Sequence, residues 1–285
     1  MPNLDRDGVA LAYEQAGRGD PPLVLVHGIA CHRGFMAPQL DHFGAAHRVV
    51  AVDLRGHGDS DAPAQRYTID ALADDVGWIC EQLGLAAPVV VGHSLGGIVA
   101  LALAAARPQL VAGAVMIDSV LLPAPGRLEF VRELVDDLRG PDGEHVLRTY
   151  FATFFGPHAD PAQSAWILDQ AARTPPHVTS SIWEEWVSGF DDAAALARCR
   201  VPLAYLDAGT PNADLDRARE LCPSLVLGRT VDTGHFSQLE SPEQVNAMLA
   251  RLLANVFARG APRQRTTDTE RAMGRDRDDR PGSDH

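Results

Sequence analysis

Gly92-His93-Ser94-Leu95-Gly96 lies between two apolar runs, Pro88-Val89-Val90-Val91 before it and Gly97-Ile98-Val99-Ala100-Leu101-Ala102-Leu103-Ala104 after it. The first run reads as a buried strand and the second as a buried helix. A serine on a strand-to-helix turn, with glycine two residues before and two after, has the form of a nucleophile elbow. The turn is tight enough that a side chain at either glycine meets neighbouring backbone. Such a turn holds the Ser94 hydroxyl out from the sheet. The start of the following helix offers N–H groups and partial positive charge to an oxyanion. The pentapeptide alone recurs by chance; its strand and helix flanks give it weight.

Outward from the elbow, strand and helix patterns alternate through the first 120 residues. Residues 9–14, 23–26, 48–52 and 111–117 read as strands. Between 68 and 84, Ile69, Leu72, Val76, Ile79 and Leu83 recur at helical spacing, and Gly84 is a stop. This alternation predicts an α/β fold with a mostly parallel sheet flanked by helices on both faces. From 122 to about 200 the segments are helical. Strand character returns at 202–206 and 225–227. A last helix is expected over 242–258, with Ser241 as N-cap and Pro242 at the first helical position. The expected organisation is a core made of 1–121 and 201–260, a helical cap inserted at 122–200, and a charged, disordered tail from 261 to 285.

Composition narrows the function classes. The chain has 285 residues, 46% hydrophobic and 22% charged, with a formal net charge of −13. An acidic surface without a basic patch argues against nucleic acid or an anionic membrane as partner. All 25 basic residues are arginine. The lack of lysine excludes Schiff-base chemistry, a Ser–Lys dyad and a P-loop. Cys31, Cys80, Cys199 and Cys222 are scattered, and the N-terminal residues carry no apolar signal segment. Both observations lead to the expectation of a reducing, cytoplasmic setting. No histidine pair has metal-ligand spacing, so no metal or organic cofactor is expected. Oligomeric state is not legible.

Over residues 8–258 the chain resembles the α/β-hydrolase superfamily. His27-Gly28 follows the second apolar strand, as in that family's oxyanion loop. Asp53-Leu54-Arg55-Gly56-His57-Gly58-Asp59-Ser60 is similar to its glycine-rich turn. The Ser94 elbow comes next, and Gly234-His235-Phe236 precedes the last helix, where the family places its catalytic histidine. The resemblance implies a serine hydrolase with Ser94 as nucleophile, His235 as base, a carboxylate behind the histidine, and the backbone N–H groups of Ile29 and Leu95 as oxyanion hole. Two carboxylates compete for the third place. Asp118 ends the strand after the elbow helix and is favoured. Asp214 follows the strand at 202–206, where the family's acid is more usual, but the residue nearest that position is Asn212, which carries no charge.

Other residues have quieter readings. His93 packs beside the elbow, and His27 and His57 brace loops. Cys31 is either a substrate contact or a buried filler. Asp74-Asp75 and Asp136-Asp137 read as solvated helix faces. Phe130, Tyr150, Phe151, Phe154, Phe155, Trp166, Trp183, Trp186 and Phe190 gather in the inserted block. They either pack it together or line an apolar pocket over Ser94. The expected substrate is a small or medium, partly apolar ester, lactone or thioester. Alternatives are C–C bond hydrolysis by the same triad, or a small-molecule receptor of the same fold with little turnover. Epoxide hydrolases and dehalogenases resemble the chain elsewhere, but they carry an aspartate at the elbow.

Overall fold

A computed structural model describes residues 2–209 and 212–257. The expected disordered tail, 261–285, lies outside the described residues. The first half contains β1 (Asn3–Arg6), β2 (Val9–Ala16), β3 (Leu23–Val26), α1 (Ala37–Phe43), β4 (Val49–Val52), α2 (Ile69–Gln82), β5 (Val89–His93), α3 (Leu95–Ala106) and β6 (Gly113–Ile117). A block of helices follows: α4 (Pro125–Leu138), α5 (Gly143–Ala152), α6 (Pro161–Ala171), α7 (Pro176–Ser188) and α8 (Asp192–Arg198). The chain then returns through β7 (Leu203–Asp207), α9 (Leu215–Leu221), β8 (Val226–Arg229), α10 (Ser237–Glu240) and α11 (Pro242–Asn255).

The strands form one sheet in the order β1-β2-β4-β3-β5-β6-β7-β8. β1 and β2 are antiparallel to their neighbours, and the strands from β4 to β8 pair in parallel. Alternation along each strand divides the core in two. Val24, Val26, Val50, Val52, Val90 and Met116 face one way, toward α2, α3 and α8. Leu23, Leu25, Val49, Ala51, Val89, Val91 and Val115 face the other, toward α1 and α11. Both faces are therefore covered, and the central strands read as unbroken apolar runs.

Local signals explain the helix ends. Thr68 caps α2 by accepting the N–H of Ala71 at 3.1 Å, and Gly84, at φ 60°, follows its end. Ser241 does precede Pro242 at the start of α11, but its hydroxyl bonds the side chains of Glu243 and Gln244 rather than the helix backbone. The acidic pair on α2 is a second departure. Asp75 is buried and accepts from Arg55 at 2.7 Å and from Arg6 at 2.8 Å, so it pins β1 and the turn after β4 to the helix. Spacing could not reveal this, because its partners lie on other elements.

Chain order changes direction at β3, which has β4 on one side and β5 on the other. In open parallel sheets, the crevice beyond the strand ends at such a switch is where ligands bind. The loops after β3, β5 and β6 end there, and the chain leaves β6 at this edge into α4 to α7, then passes through α8, beside α3, to enter the parallel β7 from the opposite edge.

Candidate active site

Ser94 follows β5 directly, with φ 51° and ψ −117°. A non-glycine residue held there costs on the order of 1–3 kcal/mol, which the surrounding bonds must offset. The Ser94 N–H donates to the Ile117 carbonyl at 2.9 Å, and its own carbonyl accepts from Gly97 at 3.0 Å. A Cβ on Gly92 would overlap the carbonyl of Gly96, and one on Gly96 would overlap the carbonyl of Val26. The glycines let β3, β5 and α3 approach closely enough to hold the turn.

Leu95 opens α3, so its N–H has no acceptor within the helix. Ile29 lies on the loop after β3. Ile29, Ser94 and Leu95 share the wall of one cavity. His27 shapes this loop from below. Its Nε2 accepts the Leu54 N–H at 3.0 Å, which leaves Nδ1 protonated to donate to the Gly28 carbonyl at 2.7 Å. Burial pushes its pKa down to about 3, so it serves as a neutral brace.

His235 stands between two supports. Its Nδ1 lies 2.7 Å from Asp118 Oδ2, and its backbone N–H donates to the Phe154 carbonyl at 2.8 Å. With Nδ1–H donating to the carboxylate, Nε2 is the unprotonated nitrogen. His93 packs beside it, ring centres 4.6 Å apart, and its Nε2–H donates to the His235 carbonyl at 2.9 Å. Burial holds His93 well below the ordinary histidine range, so no second positive charge sits next to His235.

Asp118 follows β6 at φ 44° and is buried. Its N–H donates to the Leu206 carbonyl at 2.8 Å, and Oδ1 accepts from Ala208 at 3.2 Å. Oδ2 accepts from Asn212 Nδ2 at 2.7 Å as well as from His235. The structure thus brings Asp118, not Asp214, to the histidine. Asp214 instead caps α9, accepting the Arg217 N–H at 2.9 Å. Asn212, on the usual acid loop, contributes a donor to the carboxylate where a second charge would repel it.

Glu240 was not signalled by the sequence. It accepts from Gly234 at 2.7 Å and from Gly156 at 3.2 Å. The backbones at these glycines are so close that a Cβ on either would overlap the other strand of chain. The loop carrying His235 is therefore locked to the segment that follows α5.

The cavity above Ser94 is mostly apolar, lined by Ile98, Val120, Val131, Ile182, Trp183 and Trp186, with Tyr150 and Arg127 as its polar members. Both readings of the aromatic residues apply, to different members. Tyr150, Trp183 and Trp186 line the cavity, whereas Trp166 packs on Phe35 at 4.8 Å and Phe130 is 43% exposed. Cys31 is buried with its thiol directed at the Ile29 carbonyl at 3.3 Å, away from this cavity's wall. Among the described residues, no cluster of histidine, cysteine and carboxylate side chains has the makings of a metal site, and no helix is long and apolar enough to cross a membrane.

Known proteins share this arrangement of chain. The family model described as alpha/beta hydrolase fold matches residues 21–242. The chain belongs to the α/β-hydrolase fold family. Within the family it is 30% identical over 233 residues to (E)-2-((N-methylformamido)methylene)succinate hydrolase of Acinetobacter baylyi, covering 80% of this chain and 78% of that one. It is 38% identical over 114 residues to epoxide hydrolase 4 of Mus musculus, covering 39% of this chain and 32% of the relative, so it matches about a third of that protein's length. A solved α/β-hydrolase structure, a thermophilic esterase from Thermogutta terrifontis, superposes with a TM-score of 0.80 at 24% identity, covering 90% of this chain and all of that one. At that identity the likeness concerns the fold.

Proposed function

We propose that the protein is a serine hydrolase that cleaves a small or medium, partly apolar ester, lactone or thioester through an acyl-enzyme on Ser94. Asp118 orients His235 and stabilises its imidazolium. His235 Nε2 takes the hydroxyl proton as Ser94 Oγ attacks the carbonyl carbon. The carbonyl π electrons move to oxygen, and the N–H groups of Ile29 and Leu95 hold the oxyanion. Collapse breaks the bond to the leaving alcohol or thiol, which takes the proton back from His235. Water then repeats the sequence on the acyl-serine, and the acid is released. No cofactor is needed at any step. The helical block acts as the cap, with α4, α5 and α7 supplying apolar walls for the substrate body.

The observation that carries this reading is the 2.7 Å contact between His235 Nδ1 and Asp118 Oδ2, made at the same sheet edge as the strained Ser94 turn. A family relative that hydrolyses a methylene-succinate derivative, by its name, also supports the hydrolase class. Epoxide opening through an alkyl-ester intermediate is disfavoured because the elbow presents a hydroxyl instead of a carboxylate.

The test is fluorophosphonate labelling, read by intact mass and peptide mapping. Modification at Ser94 in the wild type and its loss in His235→Ala are expected. A folded wild type that stays unlabelled overturns the reading.

A further inference from the structure

Arg127, near the start of α4, reaches the cavity that Ser94 lines. It also lines a second, more open pocket on the side of Asn212 and Asp214, and so stands on the partition between the two. Arg6, Arg33 and Arg55, whose side chains are similarly withdrawn from solvent, each meet a carboxylate. Arg127 does not: among the described residues no carboxylate oxygen lies within 4.0 Å of it. Asp214, which shares the second cavity, is occupied in capping α9. The guanidinium rests instead on aromatic surface, 5.8 Å from the centre of Phe130 and 5.9 Å from that of Tyr150, and donates to Tyr150 Oη at 3.0 Å.

This is an unneutralised cation at the wall of an apolar chamber, in a chain with 38 acidic residues available to pair with it. Withdrawal from water is costly for an unpaired charge. The aromatic stacking and the bond to Tyr150 offset part of that cost, and the N–H groups not given to Tyr150 are left for a carboxylate, whose two oxygens a guanidinium matches in parallel hydrogen bonds. Tyr150 adds a donor. Its oxygen accepts from Arg127, so its own O–H is free to point at the same anion, and burial raises its pKa and keeps that proton in place.

We propose that Arg127, with Tyr150, anchors a carboxylate on the substrate, so that the favoured ester is an anionic one: a half-ester of a dicarboxylic acid with an apolar spacer. This deepens the hydrolase reading and rests on Ser94 as the nucleophile. The spacer lies along Val131, Ile182 and Trp186, and the scissile carbonyl lies at Ser94.

The test compares mono-4-nitrophenyl esters of C5 to C8 dicarboxylic acids with the same esters methylated at the distal carboxylate. Wild type should prefer the free acids. Arg127→Gln should lower kcat/KM for them roughly ten- to a hundredfold, mainly through KM, with the methylated esters changed less than about threefold. Arg127→Lys keeps the charge but loses the fork, and should fall between. A second readout is independent of turnover. Calorimetric titration of the monomethyl esters of the same diacids onto Ser94→Ala should show binding that weakens at least tenfold in Ser94→Ala/Arg127→Gln. Wild-type preference for the methylated esters, equal losses on both series, or no Arg127-dependent binding overturns the anion site. Arg127-dependent binding with no hydrolysis of either series leaves the anion site standing and removes the hydrolase reading instead.

Discussion

His235 Nδ1 and Asp118 Oδ2 are 2.7 Å apart, while Asp214 is held at the start of α9 by the Arg217 N–H. The two carboxylates therefore make different predictions. Asp118→Asn should reduce kcat on an activated ester by about 10³- to 10⁴-fold, because the amide no longer fixes the histidine tautomer or stabilises its cation. Asp214→Ala should leave kcat near wild type and cost about 1 kcal/mol of stability through the lost cap. Steady-state kinetics with urea unfolding of both variants checks the pair; the opposite ranking would return the acid to the loop after β7.

The strain at Ser94 is separable from its chemistry. At φ 51° a glycine is tolerated and an alanine is not relieved, so Ser94→Gly should be more stable than Ser94→Ala by about 1 kcal/mol. Both should be inactive. Equal melting temperatures for the two variants would mean that the turn stores no such strain.

The neighbouring glycines act in the opposite sense. Gly96→Ala places a methyl against the Val26 carbonyl and must push α3 away from β3. A loss of at least 2–3 kcal/mol is expected, on the scale of overpacking in a rigid interior. Thermal unfolding of the purified variant measures it, and a melting temperature within a degree or two of wild type contradicts the close approach.

Stability should fall in mild acid. His27 and His57 are buried, and burial pushes both pKa values down to about 3. An unfolded histidine titrates near 6.5, so below that pH the unfolded chain takes up protons that the folded chain refuses. The contribution is complete above about pH 6.5 and is lost as the pH falls toward 3. Each histidine should cost about 2 kcal/mol between pH 7 and pH 5. Urea unfolding at the two pH values tests this, and an unchanged midpoint refutes it.

Glu240 ties the histidine loop to the segment after α5 without touching the reacting atoms. Glu240→Gln retains an acceptor but loses the charge-assisted bonds to Gly234 and Gly156. We expect kcat to fall several-fold with fluorophosphonate labelling slowed in proportion, since the position of His235 loosens. A stability loss with an unaltered labelling rate would make the residue purely structural.

Much of this molecule is readable in its sequence because the central strands are buried on both faces. Leu23 to Val26 and Val89 to Val91 have no solvent side, so they announce themselves as apolar runs, and Ser94 and His235 are located by the elements beside them. β1 is not readable that way: Asn3, Leu4, Asp5 and Arg6 form an edge strand with a half-exposed face and little apolar content. Asp75 misleads for a related reason, since a carboxylate that is paired across elements has the same sequence pattern as a solvated one. The choice between Asp118 and Asp214 needed the loop geometry after β7. Arg127 left no trace in a chain where every basic residue is arginine; only its missing partner distinguishes it, and that is a property of space.

Ser94 and Asp118 close adjacent parallel strands, and the Ser94 N–H is tied to the residue just before Asp118. Nucleophile and acid thus travel together on one strand–helix–strand unit, β5-α3-β6. The loop after β7 is relieved of carrying a charge in register, and supports the acid through two neutral donors, the Ala208 N–H and the Asn212 side-chain amide. Because neither donor is a member of the charge pair, substitutions elsewhere in that loop leave the pair intact, which makes it the natural place for laboratory evolution to reshape access while the reactive cassette is left untouched.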